Sequence, residues 1–269
     1  MKDKILIIGY NSNLARNFIS YFSSAFQMHL FNRKTTAIIN TNHKIIHGDP
    51  FLICNNDLID NNYLFIINYL FLRRESVHEN IRYCESLIKL CNKQNNLKKL
   101  IHISSTMVHG FDNIKINLSF PPKPTNYLHG YSLIKAESEN YLLNNYINTH
   151  VIRFGLIQNK FDVSFILKNI SNKLFIFKGT KVRNIPMTKE SSAINSINNH
   201  IINDKLPKVT IDIDFQYNLN NASKNIKQPV LYIPNIFFKL LLKVSIILKL
   251  KSIEFKLRNL DNKITYETK

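Results

Sequence analysis

The fold is decided by the stretch Ile5-Leu6-Ile7-Ile8-Gly9-Tyr10-Asn11-Ser12-Asn13-Leu14-Ala15. Its first four residues form a continuous apolar run, which is typical of a strand buried on both faces of a parallel sheet. Helix-spaced apolar residues then run from Leu14 to Phe26, and a second strand is predicted at Met28–Phe31. This β-α-β order is the opening of a doubly wound sheet.

The same alternation continues for most of the chain, which favours an α/β fold built on one parallel sheet. Further strands are predicted at 44–46, 63–67, 100–103 and 151–154, and helices at 77–92 and 131–146.

We therefore predict two units. Residues 1–155 form a nucleotide-binding domain that also carries the catalytic residues, and residues 156–269 form mainly a smaller substrate-binding lobe. Val209–Ile213 is predicted to return to the sheet as a further strand.

Composition limits the class of protein. Hydrophobic residues make up 45% of the 269, which is enough apolar surface to exclude a largely disordered chain. The formal charge of +18 would suit a nucleic-acid partner. The lysines are scattered among Asn and Ile rather than clustered, so we expect no nucleic acid to bind. The positive charge is still compatible with a substrate that contains a pyrophosphate.

The cysteines and the N-terminus indicate a cytoplasmic protein. Cys54, Cys84 and Cys91 have no metal-ligand spacing and suit reduced thiols, and no metal site is predicted. Met1–Lys4 leads directly into a short strand, without the longer apolar region of a signal peptide.

The first chemical motif is the turn that follows the first strand. A dinucleotide pyrophosphate would meet the helix N-terminus here, with glycine usual at the first, fourth and seventh positions. This chain has Gly9, Ser12 and Ala15 at those positions. We predict cofactor contacts from Gly9, Ser12, Asn13 and Leu14, although an ordinary strand-to-helix turn explains the motif equally well on its own.

The second motif is the pair Tyr131 and Lys135, four residues apart on one helix face. A nearby ammonium favours the phenolate, so we expect it to lower the pKa of Tyr131 and to permit proton transfer near neutral pH. A partly exposed tyrosine beside a solvated lysine is the alternative interpretation.

The third motif is Ser104-Ser105-Thr106, at the predicted end of the strand 100–103. Doubly wound sheets bind ligands at the carboxyl ends of their strands, so a hydroxyl here can bond the substrate oxygen that Tyr131 protonates. Serines that merely end a strand are the alternative.

Together these motifs resemble the extended short-chain dehydrogenase/reductase family, which has a Rossmann fold, and in particular its nucleotide-sugar epimerases, dehydratases and reductases. The segment 101–110, Ile-His-Ile-Ser-Ser-Thr-Met-Val-His-Gly, is similar to the family's catalytic strand and its Val-Tyr-Gly, with His109 in place of the tyrosine. The resemblance implies that Ser105, Tyr131 and Lys135 are catalytic.

The resemblance extends along the chain and implies a nucleotide-sugar substrate and a homodimer. Asn80 falls on the asparagine of the helix before the catalytic strand, and residues 151–155 are similar to the strand after the catalytic helix. Arg183, followed by Glu190, falls on the arginine that binds the pyrophosphate of the sugar nucleotide. Substrate contacts are thus expected from Ser105, Thr106 and Arg183, although a solvent-exposed arginine is the alternative for Arg183.

Cofactor preference is predicted from the end of the second strand. A carboxylate there would bind the ribose of NAD, whereas Asn32 and Arg33 favour the 2′-phosphate of NADP, so NADP is preferred over NAD. Asp49 resembles the family's adenine-contacting acid. The predicted cofactor set is completed by Asn68, Tyr131 and Lys135.

The expected reaction is reduction of a 4-keto nucleotide sugar or 4-epimerisation, of the surface-polysaccharide type. The family's 4,6-dehydratases usually carry Asp-Glu after the catalytic Ser/Thr, whereas this chain has Thr106-Met107. A non-catalytic or regulatory dinucleotide-binding protein of the same fold is the alternative, because the glycine motif is eroded.

The segment Ile233–Lys251 is strongly apolar, but Lys239, Lys243 and Lys249 interrupt it, so no transmembrane span is predicted. It resembles a helix of the family's substrate lobe. We expect its apolar stripe to pack against a core, with a basic helix lying on a membrane as the alternative.

Overall fold

The computed structural model describes residues 2–33, 43–109, 115–116, 130–158, 175–178, 184–218, 230–250, 253, 257 and 265–266. The predicted doubly wound fold is confirmed. Seven strands form one sheet, and every neighbouring pair is parallel. Their order across the sheet is β11 (Val209–Asp212), β7 (Thr149–Phe154), β5 (Lys99–Ser105), β4 (Phe65–Asn68), β1 (Lys4–Ile8), β2 (Gln27–Asn32) and β3 (Lys44–His47). The order reverses between β1 and β4, which is the switch point at which such sheets bind ligands.

The strands of this sheet are short and mostly buried. Strand β11 pairs in register with β7, from Val209 opposite Val151 to Asp212 opposite Phe154.

Helices cover both faces of the sheet. They are α1 (Asn13–Phe22), α2 (Val77–Asn92), α3 (Tyr131–Asn145) and α4 (Glu190–Ile202), while α5 (Asn235–Ile247) follows near the C-terminus. Two 3₁₀ segments occupy Pro50–Asn55 and Thr106–His109.

The period of two along β1 explains the two-sided core. Ile5 and Ile7 face one apolar cluster, which includes residues of α1 and α4, whereas Leu6 and Ile8 face the other, which includes residues of α2 and α3. All four side chains are fully buried, and each contributes about 1.5–3 kcal/mol of burial free energy.

Smaller strands lie beyond Gly155. Strands β8 (Leu156–Gln158), β10 (Asn184–Lys189) and β12 (Phe215–Asn218) form a three-stranded sheet, and two short pairs join β9 (Phe175–Lys178) to β13 (Val230–Ile233) and β6 (Lys115–Ile116) to β14 (Thr265–Tyr266). A Cβ at Gly155 would lie 2.5 Å from the carbonyl oxygen of Pro186, so only glycine lets β7 pass so close to β10.

The three cysteines are free thiols, and Cys84 and Cys91 are buried. Among the described residues, no helix has the length and apolar character needed to cross a membrane. Within the same residues, no group of three or more potential ligands could hold a metal ion.

The expectation that the C-terminal apolar segment packs against a core is wrong for most of α5. Phe238 is buried, but Ile236, Leu240, Val244 and Ile247 are between 40% and 74% exposed.

Candidate active site

The predicted chemical motifs meet at one edge of the main sheet. Because parallel strands all end at the same edge, the turn after β1 and the residues that end β2, β4 and β5 lie side by side there. Tyr131, the first residue of α3, reaches the same edge, since the Ser105 side chain lies near enough to its hydroxyl to lower the Tyr131 pKa.

The turn after β1 has the backbone that a pyrophosphate site needs. Gly9 has a φ of +80°, and a Cβ there would lie 2.8 Å from the backbone nitrogen of Leu70, so a side chain would be strained and would clash. Ala15 is fully buried, which suits close packing of α1 on the sheet.

The side chains of this turn are used within the protein. The Ser12 hydroxyl accepts a hydrogen bond from the Ala15 amide at 3.2 Å and so caps α1, which leaves it less suited to the predicted contact with a phosphate. Leu14 is buried in the core, whereas Asn13 is exposed at the start of the helix. The fit to a pyrophosphate thus rests on the backbone and on the positive end of the helix dipole.

The end of β2 carries the predicted determinants of cofactor preference. Asn32 is buried, at 8% exposure. Arg33 is exposed, and its guanidinium donates to the Glu75 carboxylate at 3.0 Å. A carboxylate from the loop after β4 therefore already neutralises the side chain that we expected to bind a 2′-phosphate.

Asp49 and Asn68 hold local backbone. The Asp49 carboxylate accepts from the Phe51 amide at 3.0 Å and caps a 3₁₀ segment. Asn68 is fully buried, and its amide oxygen accepts from the Leu70 amide at 3.0 Å and from the Tyr83 hydroxyl at 2.8 Å. The structure thus places the Asn68 side chain inside the protein, where it shapes the loop after β4 rather than facing a ligand.

Ser105 and Tyr131 form the centre of the site. The Ser105 hydroxyl also accepts from the Met107 amide at 3.3 Å, which orients it. Burial raises the pKa of Tyr131 above its ordinary value, while the Ser105 hydrogen bond and the positive charge of Arg73 act in the opposite direction. The expectation that Lys135 lowers the pKa of Tyr131 is therefore wrong in this arrangement.

Lys135 explains this difference. Its ammonium is buried and donates to the carbonyl oxygen of Ile103 at 2.7 Å, on the neighbouring strand. Burial lowers its pKa to about 8, although the negative charge of Glu139 raises it. The amine is therefore held inside the protein, against the backbone of β5.

Phe71, which the sequence did not single out, contacts both catalytic candidates. Its ring packs edge-on against Tyr131, with centroids 4.8 Å apart. The Lys135 ammonium lies 5.3 Å from the centre of the same ring. Phe71 therefore covers one side of the Lys135 ammonium.

A buried polar network underlies the site. The Ser104 hydroxyl donates to Glu139 at 2.8 Å, and the Arg153 Nε donates to the other Glu139 oxygen at 2.7 Å. Arg153 also approaches Nε2 of His109 at 3.4 Å. The sequence did contain a signal for this network. Glu139 follows Lys135 by four residues, and Arg153 lies inside an otherwise apolar predicted strand.

The predicted substrate residues are placed less completely. Thr106 is buried, at 3% exposure, and Arg183 lies outside the described residues. Asn80 donates to the carbonyl oxygens of Leu72 and Ser76, so it fixes the loop that carries Phe71 and Glu75.

A cavity of about 560 Å³ opens elsewhere, between α1 and the start of α4. Asn17 and Glu190, which are hydrogen-bonded to each other, lie in its wall with Gln158 and Phe215.

Comparisons with known proteins agree on the fold. The sequence matches no protein-family model, and no curated protein matches it. Solved structures do match. The chain is similar to dTDP-glucose 4,6-dehydratase from Bacillus anthracis, solved with NAD, with 14% identity, 87% of this chain and 85% of that chain covered, and a TM-score of 0.63.

Two further structures are similar over a comparable length. WbmG from Bordetella bronchiseptica, in complex with NAD and UDP, is 12% identical, with 87% and 83% covered and a TM-score of 0.66. UDP-N-acetylglucosamine 4-epimerase from Bacillus cereus is 14% identical, with 87% and 86% covered and a TM-score of 0.59. The chain shares with these structures a doubly wound, Rossmann-type α/β fold, as the sequence predicted.

Proposed function

We propose that this protein is a nicotinamide-dinucleotide-dependent enzyme that reduces a 4-keto nucleotide sugar or epimerises a nucleotide sugar at C4. The observation that carries the proposal is that Ser105, at the end of β5, and Tyr131, at the start of α3, are neighbours at the ligand-binding edge of the sheet. The Gly9 turn at the same edge has a backbone suited to a pyrophosphate. Similar structures that contain NAD and UDP support the substrate class.

Each residue of the site would have its own role in this reaction. The Tyr131 hydroxyl gives its proton to the substrate oxygen in reduction and takes it back in the reverse step, which is general acid–base catalysis. Ser105 hydrogen-bonds the same oxygen and fixes its position beside Tyr131. The dinucleotide, when bound, supplies or accepts the hydride.

The cofactor fits one end of the crevice directly. The backbone after Gly9 and the first turn of α1 would hold the pyrophosphate, and Arg33 would pair with the 2′-phosphate of NADP, the cofactor we favour over NAD. At the other end, Phe71 must turn away before a ribose can approach Lys135, because its ring now covers that ammonium.

A non-catalytic protein of the same fold is the second candidate, and the same aromatic ring favours it. If Phe71 never leaves Tyr131 and Lys135, these residues serve only to pack the loop after β4 against α3. The two candidates, the enzyme and a non-catalytic or regulatory dinucleotide-binding protein, therefore differ in whether bound dinucleotide takes part in turnover.

The first experiment is a fluorescence titration of the protein with NADPH and with NADH. For the enzyme, we expect Arg33→Ala to weaken NADPH binding about tenfold or more, since a charge-assisted contact is lost, and to leave NADH binding nearly unchanged. Lys89→Ala, which removes an exposed charge from α2, is the matched control and should change neither. Binding of both cofactors unaffected by Arg33→Ala would contradict the NADP preference.

The second experiment separates the two candidates. Phe71→Ala should retain or improve cofactor binding, and Phe51→Ala, which removes a ring lying 5.4 Å from Arg82 elsewhere, is the control. Tyr131→Phe should lower turnover of a 4-keto nucleotide sugar about 10²- to 10⁴-fold while cofactor binding persists. Cofactor binding without turnover of a 4-keto nucleotide sugar, in both wild type and Phe71→Ala, would favour the non-catalytic dinucleotide-binding protein. Absence of cofactor binding in both would contradict both candidates.

A further inference from the structure

Helix α5 presents an apolar surface to solvent, the reverse of what a helix of a globular domain normally shows. Phe238 and Ser245 are buried against the rest of the protein. Eight other large apolar side chains between residues 236 and 248 are exposed, and Ile246 lies apart from the rest, beyond the lysines. The other seven form what we call the α5 face: Ile236, Phe237, Leu240, Leu241, Val244, Ile247 and Leu248.

The α5 face is continuous. At 100° per residue its members fill an arc of about 140° on one side of the helix. Ile236 and Ile247 are each 74% exposed, so the surface is open at both ends of the helix. Continuous apolar patches of this kind on a single chain indicate a surface that meets a partner.

The charges around the face identify the partner. Lys239 and Lys243 are both exposed and lie four residues apart along one edge of the face, and Lys249 is exposed just after the helix. No aspartate or glutamate occurs between residues 235 and 253. A second copy of the chain would bring the same lysines and another +18 charges against this edge, which opposes self-association.

An anionic bilayer satisfies both features. Apolar side chains on one face of an interfacial helix enter the boundary between headgroups and acyl chains, while lysines at its edge meet the lipid phosphates. Thirteen residues span only about 20 Å, which suits a helix lying on the surface rather than crossing it.

We propose that the α5 face is a docking surface for anionic membranes, with Ile236, Leu240, Val244 and Ile247 inserted and the lysine edge on the headgroups. The proposal does not depend on the catalytic function, because α5 contributes no residue to the site at the sheet edge.

The test is co-sedimentation of the full chain with vesicles of phosphatidylcholine alone and of equal parts phosphatidylcholine and phosphatidylglycerol, at low and high salt. We expect binding to the anionic vesicles at least about tenfold tighter than to the neutral ones, since lysines near an anionic lipid surface are attracted to its phosphates. High salt should weaken it.

Matched variants assign the binding to α5. Leu240→Glu combined with Ile247→Glu should abolish binding while the thermal unfolding curve stays unchanged, because both side chains are exposed. Lys239→Gln with Lys243→Gln should weaken binding to anionic vesicles, whereas Lys205→Gln with Lys208→Gln, two exposed lysines before β11, should not.

Two results would overturn the proposal. Vesicle binding that both α5 variants leave intact would reflect only the overall charge of the chain. A lack of binding to either kind of vesicle would also overturn the proposal. Light scattering would then test for a dimer, and loss of that dimer in Leu240→Glu would assign the α5 face to a second copy of the chain.

Discussion

Glu75 pairs with Arg33, the arginine to which we assign the preference for NADP. Its carboxylate lies 3.0 Å from the Arg33 guanidinium, and both side chains are partly exposed. A 2′-phosphate that binds Arg33 must displace this carboxylate or lie beside it, and two negative charges repel each other at that distance. Glu75 therefore weakens the binding of NADPH more than the binding of NADH.

We predict that Glu75→Gln tightens NADPH binding about two- to fivefold relative to NADH, the range expected when an exposed ion pair no longer has to be broken. The ratio of the two dissociation constants, measured by the same fluorescence titration, checks it. Glu85→Gln, which removes one exposed negative charge from α2, should leave the ratio unchanged. An increase in NADH affinity alone would show that Glu75 does not act through Arg33.

Single residues show how far the sequence could predict the site. Ser105 and Tyr131 meet as expected, because the strand end and the helix start that carry them were readable from the pattern. The hydrogen-bond partners of Ser12, Asn68 and Lys135 could not be predicted, since each partner is a backbone group or a side chain on a neighbouring element. Sequence patterns give residue types and spacing, but they do not show which polar groups are already paired.

At the scale of elements, boundaries were predicted best where a cap marks them. Helix α2 begins after Ser76, whose hydroxyl accepts from the Glu79 amide while Glu79 accepts from the Ser76 amide, and the predicted range Val77–Asn92 is confirmed. Helix α1 was predicted to reach Phe26 but ends at Phe22. Its apolar spacing continues past the end because Phe26 still packs into the core from the turn that follows.

Helix α3 is joined to β7 by a buried ion pair. Glu139 and Arg153 are each fully buried, and the Ser104 hydroxyl donates to the same carboxylate from the end of β5. The ion pair fixes the helix that carries Tyr131 against β7, and the Ser104 hydrogen bond fixes the same helix against β5, which carries Ser105. Removal of the ion pair on one side would leave the charge of Arg153 buried without its partner.

We predict that Glu139→Gln lowers the free energy of unfolding by about 3–5 kcal/mol, the usual cost of breaking a buried ion pair. Urea denaturation measures it, and Glu75→Gln, which breaks an exposed pair, should cost less than about 1 kcal/mol. The double variant Glu139→Leu with Arg153→Met should recover much of the loss, because no charge is then left buried. A loss below about 1 kcal/mol for Glu139→Gln would contradict this account of the network.

At the scale of the whole molecule, buried histidines couple the stability of the fold to pH. His29, His102, His109 and His150 are at most 8% exposed, and burial lowers the pKa of each. The pKa of His109 falls to about 3, because burial and the charge of Arg153 both oppose its protonation. In the unfolded chain the same imidazoles titrate near about 6.5.

The sign of the effect follows from proton binding. Between about pH 3 and 6.5 the unfolded chain binds a proton at His109 that the folded protein excludes, so stability rises with pH across this window and is lost as pH falls. At pH 5 this one histidine should lower the free energy of unfolding by about 2 kcal/mol relative to neutral pH.

We therefore predict that His109→Gln flattens the dependence of the unfolding free energy on pH between 4 and 6.5, by about 1.4 kcal/mol per pH unit. Urea denaturation across this range measures the slope, with His78→Gln, an exposed histidine in α2, as the variant expected to keep the wild-type slope. If His109→Gln also keeps the wild-type slope, His109 must bind a proton in the folded protein over the same pH range as in the unfolded chain. Its imidazole would then have to be accessible to water.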